Sequence, residues 1–92
     1  MKHNLYIIQD SVTGAFGSPF FASCDEQVSR DFEEMVVAGG VPNRYISDTV
    51  IFRIGEFSAD KINPVLTAYP VPQVVLRGDR FKVSEVGGPD NA

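Results

Sequence analysis

One thiol and one imidazole are the side chains that most directly raise the question of nucleophilic chemistry. Cys24 follows "SPFFAS" and opens the charged stretch "DEQVSRDF", so it lies at the predicted start of a helix, where backbone N–H groups favour a thiolate. A nucleophile also needs a base and a group that orients that base. The single histidine, His3, lies at the start of the first predicted strand, and nothing in the spacing brings it to Cys24. Because Asp25 and Glu26 oppose thiolate formation, we interpret Cys24 as structural and predict no catalytic residues.

Carboxylates form the second group with chemical potential. Residues 24–38 hold five acids and one base, Arg30, whereas the rest of the chain holds seven of each. Glu33 and Glu34, with Asp31, could bind a metal ion or exchange protons, but a solvated helix face opposite an apolar stripe explains them more simply. An acidic patch that docks a basic partner stays open as an alternative. One cysteine and one histidine argue against a zinc site, and we predict neither a metal nor another cofactor.

Basic residues gather near the C-terminus. The segment "RGDRFKV", residues 77–83, holds three of the eight lysines and arginines around one aromatic ring. This mixture suits single-stranded nucleic acid, because cations attract the phosphate backbone and a ring stacks on a base. The alternative is a polar segment whose ring packs on a sheet. With one arginine from the strand "TVIFRIGEF" added, the residues predicted to bind nucleic acid are Arg53, Arg77, Arg80, Phe81 and Lys82.

Composition bounds the class of protein. The chain has 92 residues, of which 43% are hydrophobic and 22% charged, as in ordinary globular proteins. The net charge of −4 works against non-specific nucleic-acid binding, although most of the negative excess belongs to residues 24–38. No apolar run approaches the roughly 20 residues of a membrane-spanning helix, and the N-terminus lacks a signal-peptide core. We predict an intracellular protein with one domain, residues 1–84, and a flexible tail, residues 85–92.

The N-terminal residues predict a β-hairpin. "NLYIIQD" is rich in β-branched and aromatic residues and ends at the turn sequence "DSVTG", in which Gly14 takes positive φ readily. The return strand is "AFGSPFFA", and Pro19 restricts it to an edge position or a bulge. The first strand carries large apolar groups on both faces, which suits a central strand or one covered by a second subunit. We therefore predict self-association as a homodimer.

The next segment predicts an amphipathic helix. Ser23 and Glu26 have the spacing of a capping box, in which each side chain satisfies a free N–H at the helix start. Gly39 and Gly40 are suited to end the helix in a left-handed conformation. The apolar stripe predicted to face a sheet consists of Val28, Phe32, Met35 and Val36.

The second half of the chain predicts further strands. "GGVPNRYISD" is interpreted as an irregular connection, and "TVIFRIGEF" as a strand in which Gly55 marks a bulge or a close approach of the helix. "SADKINP" predicts either a second hairpin turn or a surface loop. "VLTAYPVPQVVLR" predicts one or two short extended pieces broken by Pro70 and Pro72, in an edge strand.

Taken in order, these segments resemble the small nonstructural protein of the Microviridae, tailless phages with circular single-stranded DNA genomes, and in particular its gokushovirus branch. That family is similar in having a strand ending in Asp, a Pro-Phe-Phe segment, a helix with Arg-x-Phe, and an Ile-Gly-x-Phe/Tyr strand. The connection "VPNRYISD" lacks the Pro-x-Asp frequent in the family, and the residues after Leu76 match poorly. The matching positions are Asp10, Pro19, Phe20, Phe21, Arg30, Phe32, Ile54, Gly55, Glu56 and Phe57.

The resemblance implies a nonstructural DNA-binding protein in the cytoplasm of the infected bacterial host, acting in the switch from double-stranded replication to single-stranded genome synthesis and packaging. It brings no catalytic residues, and it does not support the basic C-terminal segment.

Together the sequence predicts an α+β fold, in which an antiparallel sheet of three to five strands carries one amphipathic helix on one face. The predicted function is non-enzymatic binding of single-stranded DNA or of the replication complex. The alternative is a protein–protein adaptor that engages a phage or host factor through its acidic helix or dimer surface.

Overall fold

A computed structural model describes residues 2–40, 42–59 and 63–81, without the side chains of residues 43 and 81. Within these residues, four strands form one antiparallel sheet in the order β2-β1-β3-β4, and the longer of two α-helices lies on one face. The predicted α+β fold is confirmed. Residues 85–92, the predicted tail, lie outside the described residues. The elements are β1 (Lys2–Asp10), β2 (Phe20–Ala22), α1 (Asp25–Ala38), α2 (Asn43–Ser47), β3 (Thr49–Ala59), β4 (Pro64–Arg77) and a 3₁₀ helix (Gly78–Phe81).

The first two strands form the predicted hairpin. The Gly14 N–H donates to the Asp10 carbonyl oxygen (2.7 Å), the Asp10 N–H donates to the Ala15 carbonyl oxygen (2.9 Å), and Gly14 has φ 80°. After this turn the return segment pairs with β1 over only three residues, from Asn4 opposite Ala22 to Tyr6 opposite Phe20. Pro19 directly precedes this short edge strand, and β1 lies between β2 and β3, as the sequence predicts.

Helix α1 begins one residue later than the capping box requires. Cys24 is the N-cap residue, with extended φ −164° and ψ 168°, and no side chain caps the helix. The predicted capping box is therefore wrong. Glu26 occupies the second helical position, whereas a capping box requires the carboxylate at the third, where it can accept from the N-cap N–H. At the other end, Gly39 (φ 79°) and Gly40 (φ 86°) confirm the predicted left-handed termination.

The apolar stripe of α1 packs on the sheet for most of its length. Val28 and Phe32 are buried and Val36 is partly buried, whereas Met35 is 41% exposed. The prediction that Met35 faces the core is wrong, because it lies at the rim of an open groove of about 240 Å³ that Ile8 also lines. The core residues are Tyr6, Val28, Phe32, Ile46, Ile51 and Leu76.

The connection after α1 contains a short helix that the sequence does not predict. In α2 the N–H groups of Tyr45 and Ile46 donate to the Pro42 carbonyl oxygen (3.0 and 3.3 Å). A helix of five residues is too short to show a 3.6-residue pattern, and it is marginal without tertiary packing. Burial of Ile46 in the core supplies that packing.

Strands β3 and β4 form a second hairpin, with Ala59 opposite Pro64. Of the two interpretations of "SADKINP", the hairpin is therefore the correct one, although residues 60–62 lie outside the described residues. The edge position of β4 is confirmed, but β4 is one strand of 14 residues, with the segment between Ala68 and Gln73 bulging opposite Ile54. Because this bulge contains both prolines, their missing N–H groups do not interrupt the ladder.

Gly55 confirms one of its two predicted explanations. The β1–β3 register shifts next to it, between Leu5 and Tyr6, which is the predicted bulge. The close neighbour is not the helix: a Cβ on Gly55 would lie 2.5 Å from the carbonyl oxygen of Thr67 in β4. The close approach of β4 therefore requires glycine at position 55 of β3.

The two faces of the sheet differ in what covers them. On the helix face, Tyr6, Ile51 and Leu76 pack beneath α1. The opposite face is identified by register, because directly opposed residues of an antiparallel sheet share a face. We call it the phenylalanine face, and define it as Leu5, Ile7, Phe16, Phe21, Phe52, Phe57, Leu66 and Val74.

Candidate functional site

A glycine brings α2 and the 3₁₀ helix into backbone contact at one end of the sheet. A Cβ on Gly78 would overlap the carbonyl oxygen of Ile46, and it would lie 3.1 Å from the carbonyl oxygen of Thr49. Only glycine permits this approach without a shift of backbone atoms. Because α2 packs on the 3₁₀ helix, Arg44 of α2 lies at the same end of the sheet as Arg77 and Arg80.

This end of the sheet also presents an aromatic ring. Tyr45 is 50% exposed, and the Arg44 guanidinium carbon lies 4.9 Å from its ring centroid. The Arg44 Nη2 donates to the Tyr45 hydroxyl (3.3 Å), which holds the two side chains together. We define the basic corner as Arg44, Tyr45, Arg77 and Arg80.

A cleft of about 400 Å³ opens beside the corner. Arg77 and Arg80 line it together with Ser29 of α1 and residues near the end of β4. A cleft lined by two guanidinium groups and a hydroxyl provides several hydrogen-bond donors, which suits an anionic oxygen such as that of a phosphate group.

The arginines of the corner are electrostatically available. The ion pairs found among residues 2–40, 42–59 and 63–81 join Lys2 to Glu56 (3.2 Å) and Arg53 to Asp25 (2.9 Å), and neither involves the corner. Two carboxylates, those of Asp48 and Asp79, belong to the same chain segments and reduce the local positive charge to about one unit. The corner is thus weakly positive in a chain whose net charge is −4.

Arg53, a predicted nucleic-acid residue, is engaged within the chain. Its Nη1 donates to both carboxylate oxygens of Asp25 (2.9 Å each), and its Nη2 donates to the side-chain oxygen of Gln73 (2.7 Å). Burial is the largest single influence and lowers the pKa of Arg53, but attraction to Asp25 together with smaller contributions from Tyr69 and Tyr6 raises that pKa overall. Arg53 fixes the start of α1 on the sheet, so we do not place it in the candidate site.

Tyr6 belongs to the same buried network. Its hydroxyl donates to the Asp25 carboxylate (2.7 Å) and accepts from the Asn4 amide (3.0 Å). Burial raises the pKa of Tyr6 to about 12; the hydrogen bond from Asn4 works in the opposite direction and the one to Asp25 adds to the rise. This network ties α1 to β1 and contains no group positioned for chemistry on a ligand.

The thiol and the imidazole lie on different sides of the sheet. His3 is opposite Phe57, on the phenylalanine face, whereas half-buried Cys24 caps α1 on the helix face. The geometry brings no base to Cys24. Among the described residues, no group of three or more histidine, cysteine, aspartate or glutamate side chains is arranged to hold a metal ion.

The structure changes the set of candidate residues. Arg77 and Arg80 line the same cleft, the Phe81 backbone ends the 3₁₀ helix, and Lys82 lies outside the described residues. The sequence analysis missed Arg44 and Tyr45, because their segment was interpreted as an irregular connection. The available signal was an adjacent arginine and aromatic residue after a proline, in a segment with no apolar pattern.

The fold and its basic corner define a small α+β protein with one covered sheet face and an exposed arginine–tyrosine cluster. Comparison with protein families gives a closer assignment: the chain belongs to the Phage ORF5 protein family, whose model matches residues 3–81. The match extends from β1 to the end of the 3₁₀ helix, and it confirms that this is a bacteriophage protein. Neither the curated proteins nor the solved structures gave a match to the chain. In the part of the chain that the structure describes, no helix has the length and apolarity needed to cross a membrane.

Proposed function

We propose that this phage protein binds single-stranded DNA without catalysing a reaction on it, and that the basic corner makes the contact. Two observations support the proposal: Arg77 and Arg80 line one cleft, and α2, which carries Arg44 and the half-exposed Tyr45, packs on the same 3₁₀ helix. The ion pairs found among residues 2–40, 42–59 and 63–81 do not involve these arginines. Cations that attract phosphates beside a ring that stacks on a base form the recurring design of single-strand binding surfaces.

The charge distribution is compatible with this role. The acidic excess lies on α1, whereas the corner is formed by α2, the end of β4 and the 3₁₀ helix. With three arginines available, about three phosphates are neutralised, so the logarithm of the binding constant should fall with that of the salt concentration with a slope of about −2. This is a shallow dependence, in keeping with a small site.

The biological role proposed is the one that the resemblance implies. A member of this phage family that resembles the gokushovirus nonstructural protein would act in the cytoplasm of the infected bacterium. There it would bind single strands, or the replication complex, as replication of the double-stranded form gives way to genome synthesis and packaging.

Titration of a labelled oligothymidylate of about 20 nucleotides, followed by fluorescence anisotropy at salt concentrations from about 50 to 300 mM, tests the proposal. Replacing both Arg77 and Arg80 by glutamine should weaken binding about tenfold or more at low salt and reduce the salt slope. Tyr45→Ala should weaken binding about fivefold or more through loss of stacking.

Lys2→Gln is the matched control, because it removes one positive charge at the far end of the sheet, about 26 Å from Arg77 by strand length. Its affinity should stay within about twofold of the parent chain. Absence of binding at about 50 mM salt, or equal losses in the control and the corner variants, would contradict the proposal.

The second candidate is an adaptor without nucleic-acid contact. The observation that favours it is the apolar groove between α1 and β1, where Asp31 stands beside Met35 and Ile8. An apolar groove with acidic side chains at its rim suits a basic, amphipathic segment of a phage or host protein. A chain that fails to bind DNA, but binds a partner protein that Asp31→Lys releases, would support this candidate.

A further inference from the structure

The phenylalanine face is apolar and uncovered. Among its side chains Phe16 and Phe21 are each 55% exposed, Leu66 is 61% exposed and Val74 is 52% exposed. Ring pairs run across the strands: the centroids of Phe16 and Phe52 lie 6.3 Å apart, and those of Phe21 and Phe57 lie 5.6 Å apart. Exposed apolar patches of this kind mark interaction surfaces.

Charge indicates which partner fits this face. By register, the described strand residues that share it include no aspartate or glutamate, and Arg77 lies towards one end. The acidic excess of the chain projects from α1 on the other side of the sheet. Two copies of a chain with net charge −4 therefore repel each other least when these faces meet.

The size of the face agrees with such a contact. Three strands about 4.8 Å apart with about seven residues of about 3.3 Å each, together with the three residues of β2, give a projected area of roughly 380 Å². Two opposed faces then bury roughly 760 Å² in projection, and protruding rings make the accessible area larger. The contact is therefore at the small end of specific interfaces, which begin at about 1,000–1,200 Å² of accessible area.

We propose that a second copy of this chain packs against the phenylalanine face, so that the two sheets stack with the aromatic rings between them. Stacked sheets lie about 10 Å apart, a distance that side chains of this size fill from both sides. Each chain then has a helix on the outer side of its sheet and a partner on the inner side. The acidic helices and the basic corners lie at the periphery of the dimer.

Sedimentation equilibrium of the full chain at protein concentrations from about 1 to 200 μM tests this arrangement. The chain mass is 10.1 kDa, so the parent chain should approach twice that mass as concentration rises. Phe21→Ser should stay at the monomer mass or weaken the dimer at least tenfold. Val37→Ser is the matched control, because Val37 is 80% exposed but lies on α1, and it should leave the dimer unchanged.

Circular dichroism of Phe21→Ser should match that of the parent chain, since the ring is half exposed and not part of the core. A chain that is monomeric at every concentration would overturn the proposal. So would a dimer that Phe21→Ser and Leu66→Ser leave intact. If Phe21→Ser instead leaves the mass unchanged and weakens oligonucleotide binding, the face binds bases and not a second chain. These outcomes are separate from that of Arg80→Gln, which should weaken DNA binding and leave the mass unchanged, because Arg80 lies in the 3₁₀ helix and not in the sheet.

Discussion

The two faces of the sheet are built from the same strands, but they are completed in different ways. On the helix face, α1 covers Tyr6 and Ile51, and at its edge Asp25 pairs with Arg53. On the phenylalanine face, rings at Phe16 and Phe21 remain half in water. Since both faces are apolar, what differs is the supply of a covering element. The described part of the chain contains one long helix, and that helix can cover only one face.

The comparison shows how a small chain can fold while part of its apolar sheet surface stays exposed to solvent. A domain of this size buries only about 60–65% of the surface that its unfolded chain exposes, so one sheet and one helix leave an apolar face over. We expect the buried side chains beneath α1 to determine the stability of the fold, and the exposed side chains of the phenylalanine face to determine what the chain binds. Three predictions test that division.

The largest effect should come from removing a sealed ring. Phe32→Ala should reduce the free energy of unfolding by about 3–5 kcal/mol, because Phe32 is 6% exposed and its loss leaves a cavity. Phe21→Ala on the open face should reduce it by less than about 1 kcal/mol in the monomer. Urea denaturation at about 1 μM protein, where association contributes least, measures both. Similar losses in the two variants would show that the faces are not divided in this way.

A smaller effect should follow from titrating the sealed tyrosine. The pKa of Tyr6 is raised from 10.0 to about 12 by burial, so the folded chain holds this proton more tightly than the unfolded chain. The resulting stability is complete below pH 10 and should fall by about 2–3 kcal/mol as the pH rises to about 12.

Urea denaturation at several pH values between 8 and 12, at one protein concentration, measures this fall. Tyr6→Phe should remove most of the slope, whereas Tyr69→Phe, which removes a tyrosine whose pKa is raised by its hydrogen bond to Glu56, should remove a smaller part of it. An equal slope in Tyr6→Phe and the parent chain would place the origin of the pH dependence elsewhere.

The smallest effect on stability should come from replacing Gly78, the glycine at which the 3₁₀ helix contacts α2. Gly78→Ala should reduce stability by about 1–3 kcal/mol, because its Cβ overlaps the Ile46 carbonyl oxygen and α2 must shift. Gly17→Ala is the matched control: the nearest atom to its Cβ would be the Ile8 carbonyl oxygen, at an ordinary 3.8 Å. Gly78→Ala should also weaken oligonucleotide binding more than Gly17→Ala does. Equal behaviour of the two variants would mean that the α2 contact does not organise the corner.

Most of the fold follows from the sequence because its strongest patterns are local. The β-branched and aromatic residues of "NLYIIQD", the turn at Gly14 and the 3.6-residue pattern around Phe32 each predict an element that the structure contains. The start of α1 was off by one residue, since "SCDE" allows two N-cap positions, and pairing between Asn4 and Ala22 favours the later one by keeping the chain extended.

The candidate site was harder to predict, because contacts between distant segments create it. Nothing near Arg44 in the sequence indicates that α2 packs against Gly78, 34 positions away, and that contact is what groups the arginines. For the same reason the sequence could not show that Arg53 is already held by Asp25. Single-stranded DNA binding and self-association stay predictions until the titrations are done.

The bulge in β4 has a consequence for the size of any assembly. An edge strand with an uninterrupted row of unpaired N–H groups can pair with the edge strand of another chain. An apolar sheet with such an edge strand would assemble into fibres. Here the border is broken between Ala68 and Gln73, where Pro70 and Pro72 bring no donor, and β2 on the other side offers only three residues. Sideways pairing is hindered at these positions, so a second copy bound to the phenylalanine face would give a closed pair and not a fibre.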